Sequence, residues 1–126
     1  MAKIIHTDRA PGAVGPYSQA VALNDLLFVS GQIPIDPATG QLVEGGVEQQ
    51  TEQVMKNLRA IIEAAGLTLD NIVKATIFLV DIEDFGAVNQ VYQSFFSGDY
   101  PARSCVAVRE LPKKGVRVEI EAIAGR

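Results

Sequence analysis

The 126-residue chain has the composition of an ordinary globular domain, with 48% hydrophobic residues, 6% aromatic residues and no tryptophan. Its 15 acidic residues outnumber its 11 basic ones, which gives a net charge of −4. Binding to a phosphate backbone requires clustered Lys and Arg, and the longest basic run here is Lys113-Lys114. We therefore predict a single domain over residues 1–126 that does not bind nucleic acid.

One cysteine, Cys105, and one histidine, His6, limit the chemistry further. They exclude an intrachain disulfide, a cysteine-rich metal site and a two-histidine zinc motif. The first residues lack the long apolar stretch of a signal peptide, and no segment is apolar enough to span a bilayer. We expect a protein of the cytoplasm, with no metal, no cofactor and no membrane contact.

The first half of the sequence predicts short strands separated by rigid loops. A short strand near residues 4–5 is followed by a loop at 10–17, which contains two Pro and two Gly. Strands are predicted at 18–23 and 26–30. The intervening Asn24-Asp25 pair is typical of a hairpin turn, because both residues tolerate positive φ. Residues 33–40 form another loop.

Helical periodicity is clearest at residues 47–65, before a stop at Gly66. The apolar residues that form one face of this helix are Val47, Val54, Leu58, Ile61, Ile62 and Ala65.

The second half predicts a strand at 71–80, a helix from an N-cap at Asp81 to Gly98, and strands at 103–108 and 116–124. The apolar stripe of the second helix comprises Phe85, Val88, Val91, Tyr92, Phe95 and Phe96.

This order predicts an α+β sandwich, a mixed sheet of about six strands with both helices on one face. In the last strand, alternation directs one set of side chains to the helices: Val118, Ile120, Ala122 and Ala124. The opposite face would carry Arg117, Glu119, Glu121 and Ile123. A face that mixes apolar and charged residues is a candidate subunit interface, which a closed ring would cover.

Arg103 and Glu119 are charged residues inside otherwise apolar strands. A guanidinium can hold a carboxylate through two hydrogen bonds, and a nearby carboxylate can move protons. Together they suggest an enzyme that acts on a small organic acid. Alternatively, Arg103 forms a structural ion pair with Glu119 or Glu121, or is an edge-strand charge, and the two glutamates lie on a solvated strand face.

Other candidates carry weaker signals. Cys105 has no nearby histidine to ionise it, so we interpret it as a small strand residue rather than a nucleophile. Tyr17 ends the first rigid loop and either closes a pocket or anchors that loop. Ser30 and Gly31 end a strand, where Gly31 would allow a ligand close to the backbone or form a bulge. Asn89 lies in the second helix, where it either caps a backbone group or faces a pocket.

Five segments, spread over nearly the whole chain, together resemble the RidA (YjgF-type) family of imine deaminases. They are residues 15–19 (GPYSQ), 30–34 (SGQIP), 64–67 (AAGL), 101–106 (PARSCV) and 120–124 (IEAIA).

The resemblance implies a chorismate-mutase-like fold and a homotrimer with sites between subunits. It also implies hydrolysis of small 2-imino acids to 2-oxo acids and ammonia, without metal or cofactor. Arg103 would hold the substrate carboxylate, and Glu119 would position or activate water. The pocket would be lined by Tyr17, Ser30, Gly31 and Cys105, with Gly31 and Cys105 contributing mainly backbone.

Two alternatives stay open beside the enzyme. One is a regulatory module that binds a carboxylate ligand in the same pocket without turnover. The other is a ribonuclease, an activity sometimes attached to this family. The acidic charge balance, the few aromatic residues and the lack of a histidine pair argue against the ribonuclease.

Overall fold

The alternating apolar residues of the chain build one mixed sheet in a computed structural model, which describes residues 2–126. The strands run in the sheet order β1-β2-β3-β6-β4-β5, where only β4 and β5 are parallel. Their bounds are β1 Lys3–Ile5, β2 Ala20–Leu23, β3 Leu26–Gln32, β4 Ile72–Leu79, β5 Ala102–Ala107 and β6 Val118–Gly125.

Two α-helices, α1 at Val47–Ala64 and α2 at Phe85–Gln93, pack together, and α1 covers β3 and β6. Short 3-10 turns at Leu69–Asn71 and Ile82–Asp84 precede β4 and α2. The predicted element order is confirmed, as is the hairpin turn, where Asn24 has a φ of 55°.

The central strand β6 separates two chemically different faces of the sheet. Its residues facing the helices are buried, whereas Glu119, Glu121 and Ile123 are half-buried or exposed on the other face. The strand register extends this division across the sheet. Glu119 pairs with Phe78 of β4, and Phe78 pairs with Val106 of β5, so these three side chains lie on the same face. Successive side chains of a strand point to opposite faces of the sheet, so the face that packs against the helices is buried while the other face is not.

Helix α1 follows its sequence pattern closely. Val54, Leu58, Ile61 and Ile62 are completely buried, and the chain turns away at Gly66 with a φ of +82°, a conformation that glycine adopts without strain. Asn57 is also fully buried. Its amide nitrogen donates to the carbonyls that follow β3, those of Ile33 and Ile35, at 3.1 and 3.0 Å.

The prediction for α2 was too long. The helix ends at Gln93 rather than at Gly98, and Asp81 caps the preceding 3-10 turn by accepting from the Glu83 amide at 3.0 Å. After Gln93, residues 94–96 form short-range turns, and the Ser94 hydroxyl donates to the Val91 carbonyl at 2.6 Å. A serine hydroxyl that donates to a carbonyl of the preceding turn competes with the backbone hydrogen bonds of the helix.

Candidate functional site

Arg103 lies on β5, on the side of the sheet that carries the helices. Its Nη1 donates to Oδ1 of Asn89 at 2.7 Å. Its guanidinium carbon lies 5.1 Å from the ring centroid of Tyr92 and 5.5 Å from that of Phe85. Phe85, Asn89 and Tyr92 follow one face of α2, so one helix holds the guanidinium by a hydrogen bond and two cation–π contacts.

A cavity of about 380 Å³ opens beside this guanidinium. Arg103, Asn89 and Tyr92 line it together with Gln93, Tyr100 and Pro101. The Tyr92 hydroxyl is buried and has no hydrogen-bond partner within residues 2–126. Burial raises the pKa of Tyr92, and the charge of Arg103 opposes that rise only partly. Tyr92 is therefore a neutral phenol beside the Arg103 guanidinium.

Glu119 lies on β6, on the opposite face of the sheet. Burial raises the pKa of its carboxyl group, and the like charge of Glu121 raises it further. A cleft of about 580 Å³ contains this carboxyl group. Tyr17, Ser30 and Gly31 line the same cleft, so the structure brings together four of the residues predicted from the sequence.

Gly31 leaves open the space that the Glu119 carboxyl group occupies. A Cβ added at this position would lie 2.9 Å from the carboxyl carbon of Glu119. The pairing of β3 with β6 is interrupted between Val29 and Gln32, and this irregularity places Gly31 against the carboxylate. A larger residue would displace Glu119 from the cleft.

The buried side chain of Gln19 holds the loop that carries Tyr17 through hydrogen bonds to the backbone. Its amide oxygen accepts from the Thr7 amide at 2.8 Å, and its amide nitrogen donates to the Pro11 carbonyl at 2.8 Å. The Ser30 hydroxyl donates to the Ser18 carbonyl at 2.6 Å. The tyrosine itself stays 51% exposed, so it is free to contact a ligand.

Cys105 lies on the same side of the sheet as Arg103 and lines neither of these cavities. Burial raises the pKa of its thiol, and the charge of Arg103 reduces that effect only in part. A thiol held neutral is a poor nucleophile, which agrees with its interpretation as a strand residue.

Arg103 and Glu119 do not meet within one chain, because the sheet lies between them. Within residues 2–126, the arginines that form ion pairs are Arg9, with Glu63, and Arg117, with Asp84. The structural alternative, an ion pair of Arg103 with Glu119 or Glu121, therefore does not form within one chain. The two halves of the predicted site occupy opposite faces.

The sequence interpretation missed several parts of these clefts. It assigned Phe85 and Tyr92 to a core stripe, although their spacing with Asn89 could have indicated a shared contact. It also gave no role to Val14, Pro112 or Lys113, which line the Glu119 cleft. These residues come from loops that are distant in sequence, so no local pattern connects them.

No cluster of His, Cys, Asp or Glu suited to a metal ion occurs among residues 2–126. Over the same residues, neither helix has the length and apolarity needed to cross a bilayer.

The fold is that of a small α+β protein whose sheet carries its helices on one face, with a cleft on each face. The sequence model of the family described as Endoribonuclease L-PSP matches residues 7–125. The chain belongs to this family, which is also called RidA/YjgF. The fold prediction is thereby confirmed.

Among curated proteins, the mouse 2-iminobutanoate/2-iminopropanoate deaminase is 51% identical over 97% of this chain and 90% of its own length. The RutC family protein y4sK of Sinorhizobium fredii is 56% identical over 98% of this chain and 97% of its own. Among solved structures, Escherichia coli TdcF with bound serine is 50% identical, covers 98% of both chains and has a TM-score of 0.94.

Proposed function

We propose that this protein hydrolyses small 2-imino acids to 2-oxo acids and ammonia. The observation that carries the proposal is the Glu119 cleft, where a carboxyl group of raised pKa lies against the backbone of Gly31 and beside Tyr17. General acid–base groups work best when their pKa is shifted toward the operating pH. Relatives at about 50% identity that are named as imine deaminases support the same reaction.

The site would be completed by a second copy of the chain, in a homotrimer with one site at each interface. Arg103 and Glu119 lie on opposite faces of the sheet, so a small substrate cannot contact both within one chain. The face that carries Glu119 also exposes Leu26, Phe28 and Val106, each by 41–44%, and exposed apolar residues gathered on one sheet face are typical of a protein–protein interface. A closed ring would cover this face in every subunit.

In this arrangement, the guanidinium of Arg103 binds the substrate carboxylate through paired hydrogen bonds. Asn89 and the two aromatic rings hold the guanidinium in place. Tyr17, Ser30 and Gly31 form the wall against which the imine group lies. The imine carbon is then held next to the Glu119 carboxylate of the neighbouring subunit, in a geometry that favours attack by water.

Glu119 would serve as the proton shuttle. Its carboxylate takes a proton from water while the water oxygen bonds to the imine carbon, and the protonated carboxyl group then gives this proton to the nitrogen. The resulting carbinolamine loses ammonia when the Glu119 carboxylate takes the hydroxyl proton and passes it to the departing nitrogen, which leaves the 2-oxo acid and the original carboxylate. An imine is already electrophilic, so this sequence requires no covalent nucleophile.

A coupled assay tests the activity. A threonine dehydratase would generate the imine, and release of 2-oxobutanoate would be followed with and without the purified protein. We expect faster release with the protein. Binding of 2-oxo acids without acceleration would favour the regulatory module. Cleavage of RNA with salt-dependent binding would favour the ribonuclease that the family description names.

Sedimentation equilibrium at micromolar concentration tests the assembly. We expect three times the chain mass of 13.5 kDa. A monomer with full activity would contradict the interface site.

A further inference from the structure

A second chamber of about 420 Å³ adjoins the Glu119 cleft, and we call it the outer chamber. The cleft and the outer chamber share five lining residues: Val14, Tyr17, Gly31, Ile33 and Lys113. The outer chamber then continues past Ile35 and Pro37. Space is therefore continuous from the proposed reacting carboxylate into a region that the reaction itself does not need.

The size of this space exceeds that of the smallest substrates. A four-carbon imino acid fills at most roughly 200 Å³, if each of its non-hydrogen atoms is given the ~30 Å³ that a water molecule occupies in the liquid. The cleft alone measures about 580 Å³. The outer chamber is therefore available for a longer substrate side chain.

The walls of the outer chamber are mainly apolar, and the side-chain amides of Gln19 and Gln32 are already engaged. The amide of Gln19 bonds the backbone of residues 7–11, and the amide nitrogen of Gln32 donates to the Ser30 carbonyl at 3.1 Å. Lys113 is the one charged side chain among the lining residues. Across residues 2–126, no carboxylate lies within ion-pair distance of its ammonium group.

The position of Lys113 is set by the loop between β5 and β6. Gln50 of α1 is buried and fastens the end of this loop, because its amide nitrogen donates to the Gly115 carbonyl at 2.9 Å and its amide oxygen accepts from the Arg117 amide at 2.7 Å. The lysine is thereby kept where the cleft and the outer chamber join.

We propose that the outer chamber receives the side chain of the 2-imino acid and that Lys113 selects this side chain by charge. Neutral aliphatic, thioether and amide-type side chains enter, and cationic side chains are repelled. This inference rests on the proposed function, since it names the substrates of the same site. Lys113 is exposed, so solvent screens its charge and limits the discrimination that like-charge repulsion gives to about tenfold.

Imines derived from citrulline and arginine provide a matched pair, because their side chains have the same length and differ in charge. Each would be generated in place by an amino acid oxidase, and kcat/KM for its hydrolysis would be measured. We expect the citrulline imine to be preferred about tenfold by the parent protein. The preference should fall to within about threefold in Lys113→Met and should reverse in Lys113→Glu.

Lys114→Met and Lys114→Glu are the controls, because Lys114 lines neither the cleft nor the outer chamber. Both should keep the parent preference. Equal loss of preference in the Lys113 and Lys114 variants would assign the effect to net charge alone and would overturn the role of Lys113.

Gly12→Phe tests the apolar wall. A Cβ at Gly12 meets no atom within 4 Å, so a side chain can begin at this position, which lines the outer chamber, without a clash at Cβ. The ratio of kcat/KM for the methionine imine to that for the alanine imine should fall about fivefold or more. An unchanged ratio would show that long side chains do not enter the outer chamber.

The outcomes separate this inference from the function on which it rests. Hydrolysis of the alanine imine, combined with equal rates for the citrulline and arginine imines, would overturn the selection by Lys113 and leave the deaminase intact. Failure to accelerate hydrolysis of any imine would overturn the deaminase and the inference together.

Discussion

The two clefts on opposite faces of the sheet differ in how completely one chain builds them. The guanidinium of Arg103 is held by a hydrogen bond and two aromatic rings, all from α2. The carboxyl group of Glu119 is instead placed by a bulged strand and two loops, and burial makes its charged form costly. Arg103 is thus preorganised in each chain, whereas Glu119, the proposed proton shuttle, lies on the sheet face that we propose a neighbouring subunit covers.

The largest expected effect on turnover is that of replacing Glu119, the proposed proton shuttle. Glu119→Gln keeps size and hydrogen bonding but removes the proton acceptor, so turnover should fall by about 10²–10⁴-fold. Binding of a 2-oxo acid product should be nearly unchanged. Turnover of Glu121→Gln, a change on the same strand face, should stay within a few-fold of the parent. Any defect of this variant should appear as reduced stability of the trimer. Steady-state imine hydrolysis and calorimetric product binding would be measured for both variants. If Glu121→Gln were the inactive variant, the proton shuttle would be Glu121 rather than Glu119.

Replacement of Arg103, the proposed carboxylate anchor, should reduce activity nearly as strongly. Arg103→Lys keeps the charge but loses the planar fork and its contacts with Asn89 and the two rings. Loss of one bidentate, charge-assisted pair should cost roughly 2–4 kcal/mol in transition-state binding. Arg109→Lys is the matched control and should change kcat/KM little. Equal activity of the two variants would exclude Arg103 as the carboxylate anchor.

The pH dependence distinguishes the two causes that raise the pKa of Glu119. As general base, Glu119 must be ionised, so kcat/KM should fall as pH decreases through a pKa that lies above the ordinary value for a glutamate side chain. Glu121→Gln removes the like charge and should move this acid limb to lower pH. Burial, the larger cause, remains. An acid limb at the same pH in both proteins would mean that the two carboxylates do not interact.

The smallest effect is expected at Cys105. Its thiol has a raised pKa and lines neither cleft in this chain, so Cys105→Ala should retain much of the activity. Turnover and sedimentation would be measured on the same sample. An inactive variant that still forms the parent assembly would make the thiol a catalyst.

The fold could be predicted from the sequence because its signals are local. Alternation along β6 and the helical face of α1 each specify which side chains are buried. The end of α2 could not be predicted, since the apolar stripe continues through Phe95 and Phe96 while the hydrogen bonds of Ser94 end the helix.

The candidate site was predictable only in part. Arg103 and Glu119 were recognisable as charges within apolar strands, but their placement on opposite faces depends on the register of β4 with both neighbours. The contact between Gly31 and Glu119 depends on a bulge, and Lys113 reaches the cleft from a loop. Such contacts join residues that are far apart in sequence, and no periodicity reports them.

The most direct test of the two-subunit site mixes two inactive chains. Arg103→Lys and Glu119→Gln proteins would be coexpressed in equal amounts, and the specific activity of the mixed trimers would be compared with that of each variant alone. If each site takes Arg103 from one chain and Glu119 from another, random mixing leaves about one quarter of the sites intact, so about one quarter of the parent activity should return. If the mixed trimers were as inactive as the separate variants, both residues would have to act within one chain, and the account would be wrong.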